Sequence, residues 1–261
     1  MSKIEILKRC FGFMDLTTLR PEDTIESVKA LVEKVTEFHK LYPSYPLPAS
    51  ICVYPNFASV VKVNRVSPEL HVTTVAGCFP SSQSFLEVKK KEVEMAIEHG
   101  ADEIDIVLAL NAFLAGDNEN TSKEIKEIKE ICTKHSVILK VILETGILKS
   151  EDLIYRASML AMESGADFIK TSTGKVSVNA TPEAATTMCK AIKEYYEKTG
   201  RKVGFKAAGG VSTAQEALQY YEIGESILGE EWMNKNLFRF GVSRLGNSLV
   251  SAIENKEVKF F

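Results

Sequence analysis

Four charged residues interrupt otherwise apolar stretches of this chain: Asp105, Lys140, Lys170 and Lys206. Lysine and aspartate are seldom buried unless they are paired. Any one of the four reads most simply as a salt-bridged or snorkelling side chain, but four in separate apolar segments suggest a common site. Two lysines close together point to a specific chemistry. A lysine amine is protonated at neutral pH and cannot attack a carbonyl. Desolvation and a neighbouring positive charge both lower its pKa. The neutral amine can then form a Schiff base, whose iminium stabilises an adjacent carbanion as an enamine. A carboxylate is still needed to move protons through carbinolamine formation and dehydration. Lys170 is the candidate nucleophile, Lys206 its cationic neighbour and Asp105 the proton carrier, with Lys140 extending the charged set. This is metal-free aldol chemistry that calls for no cofactor.

A phosphate site is legible beside it. Thr173-Gly174-Lys175 follows Lys170, Gly209-Gly210 follows Lys206, and Ser243-Arg244 precedes the last helix. Glycine lets backbone N–H groups approach a phosphate closely, and a helix N-terminus attracts anions. Each pair alone is a weak signal, but the three together match an anion site at one end of a barrel.

The elements that must position these residues follow from periodicity. Eight short apolar runs read as strands: Met14–Leu19, Ser50–Tyr54, His71–Ala76, Glu103–Leu108, Val137–Glu144, the run ending at Lys170, Val203–Lys206 and Ser226–Leu228. Helical patterns separate them over 24–41, 57–65, 84–99, 121–134, 150–164 and 181–200, and again from Thr213 and near Ser243. Thr181-Pro182-Glu183 and Thr213-x-x-Glu216 are helix-start signals. A short helix within residues 1–13 covers one end of the core. Eight strands alternating with helices predict a parallel (β/α)8 barrel as one domain over 1–261. No G-x-G-x-x-G turn follows the first strand, which counts against a dinucleotide-binding sheet. Gly100-Ala101-Asp102-Glu103-Ile104-Asp105 parallels Gly165-Ala166-Asp167-Phe168-Ile169-Lys170. Equal offsets place Asp105 and Lys170 at a similar height, facing the barrel axis, with Ile104 and Ile169 facing the helices.

Composition narrows the function classes. The chain has 261 residues, 45% of them hydrophobic, and a net charge of -3, which argues against a general nucleic-acid binder. Five scattered cysteines without a C-x-x-C pair fit reduced, mostly buried thiols. Cys52 reads as an inert buried thiol before a reactive one. The four histidines lack zinc-site spacing. Lys89-Lys90-Lys91 reads as a solvated helix face. With no apolar run long enough to span a membrane and no signal-like N-terminus, the expectation is a cytoplasmic protein without membrane partners.

Phe168-Ile169-Lys170-Thr171-Ser172-Thr173-Gly174-Lys175 and Val203-Gly204-Phe205-Lys206-Ala207-Ala208-Gly209-Gly210-Val211 resemble the two signature segments of the deoxyribose-phosphate aldolase family. Met14–Leu19, Glu103–Val107 and Val141–Gly146 are similar to it as well, so the resemblance runs from about residue 14 to 250. It implies a class I aldolase that reversibly cleaves 2-deoxy-D-ribose 5-phosphate to glyceraldehyde 3-phosphate and acetaldehyde, in deoxyribonucleotide catabolism. It also implies Lys170 as Schiff-base lysine, Lys206 as pKa-lowering neighbour and Asp105 as acid/base. Asp15 and Thr17 would meet sugar hydroxyls or ordered water, and Gly174, Lys175, Gly209, Gly210 and Ser243 the phosphate. Family members are often homodimers. The chain departs from the pattern at three places. Arg244 replaces a serine and either adds donors to the phosphate or faces solvent. Gly77-Cys78-Phe79-Pro80 alters the aldehyde-pocket wall. Val258-Lys259-Phe260-Phe261 offers no terminal tyrosine hydroxyl. Rival readings are a Schiff-base aldolase or transaldolase for a longer phosphosugar, and a non-catalytic phosphosugar-binding barrel.

Overall fold

The computed structural model describes residues 1–261. Eight parallel strands, β1 Met14–Thr17, β2 Ser50–Val53, β3 His71–Val75, β4 Glu103–Val107, β5 Ile138–Ile142, β6 Phe168–Lys170, β7 Gly204–Ala208 and β8 Phe238–Val242, close into a barrel in sequence order. Helix α1 (Lys3–Gly12) precedes β1. The connections carry α2 (Ile25–Leu41), α3 (Ala58–Asn64), α4 (Leu86–Glu98), α5 (Leu110–Leu114), α6 (Asn118–Lys134), α7 (Thr145–Leu148), α8 (Glu151–Glu163), α9 (Pro182–Thr199) and α10 (Ala214–Leu228). Helix α11 (Leu245–Glu254) follows β8. This is the expected (β/α)8 barrel with a short N-terminal helix. That helix is fixed by a capping box in which Ser2 accepts from the Glu5 amide and Glu5 accepts from the Ser2 amide. Thr181 and Thr213 cap α9 and α10 as their spacing predicts.

The expected eighth strand is corrected. Ser226-Ile227-Leu228 is the last turn of α10, and β8 lies ten residues further on. The buried residues of α10 recur at Ala217, Tyr220, Tyr221, Gly224 and Leu228, so the helical period runs straight through the apolar triplet. The true strand carries Arg239 at its centre, which hides it from an apolar-run search. The last helix starts at Leu245 rather than at Ser243, and the short helices α5 and α7 were not anticipated.

Outward side chains such as Ile104, Ile106, Leu139, Val141, Ile169, Phe205, Phe238 and Phe240 join the apolar layer beneath the helices. The inward side chains stack in layers dictated by the strand pairing. Asp105 pairs in register with Lys140 and Lys140 with Phe168, and the stagger accumulates at about one residue per strand around the barrel. Alternate strands therefore contribute to one level. The lowest level holds Ser50, Glu103, Phe168 and Arg239. Above it come Asp15, Thr73, Lys140 and Lys206, then Cys52, Asp105, Lys170 and Gly241, and at the rim Thr17, Val75, Ile142 and Ala208. Asp105 and Lys170 share a level, as the repeated glycine offset predicts.

The lowest level depends on a missing side chain. A Cβ at Gly204 would come within 2.3 Å of the Phe168 ring, which is buried under the Arg239 guanidinium at 5.6 Å. Gly204→Ala is expected to destabilise the fold by about 1–3 kcal/mol through overpacking, read as a lower urea midpoint with unchanged slope.

Candidate active site

Three buried carboxylates and four buried cations fill the lower three levels. Asp105 is the hub. Its Oδ2 accepts from Lys170 Nζ and Lys206 Nζ, each at 2.8 Å, and its Oδ1 from Lys140 Nζ at 2.9 Å. Lys206 also donates to Asp15 Oδ2 at 2.5 Å, and Arg239 to Asp15 Oδ1 at 2.5 Å. Lys140 lies 2.5 Å from Glu103 Oε2. Arg239 Nη2 donates to Glu103 Oε1 at 2.8 Å, and His71 Nδ1 lies 2.7 Å from the same oxygen.

Charge parity singles out Lys170. Asp15, Glu103 and Asp105 balance three of the four cations, and every member of the set is buried. The carboxylates hold their protons less tightly than usual. Burial alone would raise their pKa values, but the adjacent ammonium and guanidinium groups outweigh it and hold all three below the ordinary range. Lys140, Lys206 and Arg239 are driven the other way by the carboxylates they touch, despite burial, and stay cationic. Among the four basic groups only Lys170 has a lowered pKa. Burial is the chief cause; Lys206 adds to it, while the Asp105 carboxylate opposes it. The like-charge argument is thus one part of the effect, second to desolvation. Removing Lys206 should raise the Lys170 pKa, so that the neutral amine appears only at more alkaline pH. For Lys206→Leu the pH profile of reductive trapping at Lys170 is expected to move up by about one unit or more.

Above the network lies a cavity of about 670 Å³. Of the charged set only Lys170 lines it. Asp105, Lys140, Lys206 and Asp15 lie beneath, so they reach a ligand through Lys170 or by side-chain movement. Thr17 lines the wall, and its hydroxyl donates to the Asp15 carbonyl at 2.8 Å. Thr173, Gly174, Lys175, Gly209, Gly210, Ser243 and Arg244 all face this one cavity, so the three predicted anion segments converge. Gly174 (φ +80°) and Gly210 (φ +86°) adopt backbone that disfavours side chains, and a Cβ at either would point into open space. Arg244 is exposed and precedes α11, whose first residue is Leu245. Cys52 is fully buried at the level of Lys170, and burial raises its thiol pKa, as an inert thiol requires.

Four contributors escaped the search for isolated charges. Glu103 lies two residues before Asp105, and the period of a strand puts both on one face. Arg239 sat outside the misplaced eighth strand. Gly241 completes the Lys170 level without a side chain; a Cβ there would meet Lys206 Cε at 3.0 Å. Glu144 is buried, adopts φ 54° and accepts from Thr173 through its amide at 3.2 Å and its hydroxyl at 2.5 Å. The Thr173 hydroxyl oxygen in turn accepts from the Lys175 amide at 3.0 Å. Glu144 thereby fixes the loop that presents Gly174 and Lys175. Glu144→Gln should raise KM for a phosphorylated substrate about tenfold while changing kcat less than threefold, measured by steady-state kinetics.

Comparison with known proteins gives consistent results. A family model described as "DeoC/LacD family aldolase" matches residues 10–246. Relatives from at least three organisms carry the name "putative deoxyribose-phosphate aldolase". One, from Caenorhabditis elegans, is 45% identical over 241 residues, 92% of this chain and 78% of that protein. Another, from Toxoplasma gondii, is a crystal structure at 25% identity, covering 97% of this chain and 98% of its own, with a TM-score of 0.82. The solved aldolase QR15 is 28% identical, covers 94% of this chain and 95% of its own, and superposes with a TM-score of 0.74.

Proposed function

The chain belongs to the DeoC/LacD aldolase family, and we propose that it cleaves 2-deoxy-D-ribose 5-phosphate reversibly to glyceraldehyde 3-phosphate and acetaldehyde through a Schiff base on Lys170. The single observation that carries this reading is the position of Lys170. It is the one member of a balanced ionic set whose amine is pushed toward neutrality, and the one that faces the cavity. The 45% identical relative supports the choice of substrate.

The geometry supports the following course. The substrate phosphate rests against the Gly174-Lys175 and Gly209-Gly210 backbone, with Ser243 and Arg244 at its edge, which leaves the aldehyde carbon of the open-chain sugar above Lys170. The neutral Nζ attacks that carbon, the carbonyl oxygen takes a proton, and loss of water gives the iminium. The C3 hydroxyl then loses its proton, the C2–C3 bond breaks, and its electron pair flows into the iminium to leave an enamine. Glyceraldehyde 3-phosphate departs. Protonation of the enamine carbon and hydrolysis of the regenerated iminium release acetaldehyde and Lys170. Asp105, held as a carboxylate by the Lys140 and Lys206 ammonium groups, is 2.8 Å from Lys170 Nζ and is the base that takes up and returns protons there.

Incubation with acetaldehyde and borohydride should add one ethyl group at Lys170, located by peptide mapping. Lys170→Ala should lose both the label and at least about 10⁴-fold of the cleavage rate. An unlabelled Lys170 with undiminished activity in the variant would refute the mechanism. A non-catalytic phosphosugar-binding barrel predicts binding without any reducible imine, and a transaldolase predicts no acetaldehyde release from deoxyribose phosphate.

A further inference from the structure

The cavity carries more positive charge than one phosphate monoester uses. Besides Lys170, four basic side chains line it, Arg20, Lys34, Lys175 and Arg244, against one acidic side chain, Asp23. Asp23 is already engaged, accepting from the Thr18 hydroxyl at 2.7 Å and from the Arg20 amide at 2.9 Å. Arg20, Lys34 and Arg244 are exposed and form no ion pair. That is unlike much of the surface, where Lys62, Arg65, Lys90, Lys129 and Lys202 each sit within 3 Å of a carboxylate.

These three cations come from three separate elements. Arg20 follows β1, and Arg244 stands at the start of α11. Lys34 is on α2, where Ser27, Ala30, Leu31 and Lys34 repeat at helical spacing and turn one face of the helix to the cavity. Lys29 of the same helix pairs with Glu33 and does not line the cavity. Lys175 reaches between the two regions, its Nζ donating to the Leu19 carbonyl at 2.5 Å. Unpaired charges of one sign along the wall of a cleft concentrate field and recruit counter-charge.

We infer that the cavity holds a second, outer anion subsite formed by Arg20 and Lys34, with Arg244 shared between it and the inner site, and that it binds ligands carrying two or more phosphoryl groups across the inner and outer subsites. Such ligands compete with the substrate. The inference rests on the reading that the glycine loops hold the substrate phosphate. The outer cations add charge–charge and guanidinium–phosphate contacts that a monoester does not reach. Sugar bisphosphates and linear polyphosphates are the chemical class that fits.

Calorimetric titration of the intact protein with orthophosphate, pyrophosphate and tripolyphosphate, in metal-free buffer at fixed ionic strength, tests this without relying on turnover. The tighter of the two polyphosphates should bind at least about tenfold more strongly than orthophosphate. In Lys34→Ala and in Arg20→Ala that advantage should shrink to about threefold or less, with orthophosphate affinity and KM for deoxyribose 5-phosphate within about twofold of the parent protein. Lys126→Ala, an exposed lysine on α6 outside the cavity, should leave the advantage intact. No polyphosphate advantage, or one that survives both cavity variants or falls equally in Lys126→Ala, would overturn the outer subsite. Absent orthophosphate binding together with absent cleavage would instead overturn the inner phosphate reading on which it rests.

Discussion

The barrel interior is governed by charge parity. Folding places Asp15, Glu103, Asp105, Lys140, Lys170, Lys206 and Arg239 out of contact with water, and a buried charge without a partner is prohibitively unfavourable. Three carboxylates and three permanent cations neutralise one another through hydrogen bonds of 2.5 to 3.3 Å. The seventh group has no carboxylate of its own, because it shares one oxygen of Asp105 with Lys206. Its amine is the one in this set that burial shifts toward the neutral form. The lowered pKa of this amine therefore depends on burial and on its direct neighbours Asp105 and Lys206, while Glu103 and Arg239, deep below the cavity, act through the partners they hold.

Which lysine becomes the odd one is decided by barrel geometry. The stagger of the strands puts Lys140 and Lys206 one level below Asp105 and Lys170. The lower pair sits between carboxylates on two levels, Glu103 or Asp15 on one side and Asp105 on the other. Lys170 touches a single carboxylate, Asp105 on its own level, and none below. Above it lies the cavity, so it faces that space while still desolvated by the walls. The same level would hold four inward side chains in a packed barrel. Here Gly241 supplies none, and a Cβ at that position would meet Ala208 Cβ at 2.8 Å and Lys206 Cε at 3.0 Å, so the glycine lets the lysine beneath reach its partners.

Much of this arrangement was legible from residue type and period. Charged residues at the ends of apolar runs located Lys170, Lys206 and Asp105, and equal spacing from two glycines fixed the relative height of Asp105 and Lys170. What stayed hidden did so for physical reasons. Arg239 lies between Phe238 and Phe240 and is buried only because Asp15 and Glu103 arrive from other strands; no local pattern contains those partners. An apolar helix end, Ser226–Leu228, looked more like a strand than the strand did. Glu103 looked like an ordinary strand start. Glu144 acts through a loop that meets it only in three dimensions, and its left-handed backbone is not encoded by residue type.

An ionic interior is not the most stable way to fill a barrel, since well-packed apolar groups are often equal or better in place of buried ion pairs. Its value lies in what happens when the imine forms. A neutral amine that becomes an iminium gains a positive charge at the one position where burial disfavours it, so the covalent step by itself is opposed by the same interior that lowers the amine's pKa. In the proposed reading, the substrate phosphate would rest against Gly174, Lys175, Gly209 and Gly210, which line the same cavity, and would supply the missing negative charge. Binding the anionic end of the substrate therefore lowers the cost of the charge developing at the other end. The effect favours the phosphorylated substrate in the chemical step as well as in binding, because the compensation is needed only once Lys170 has reacted.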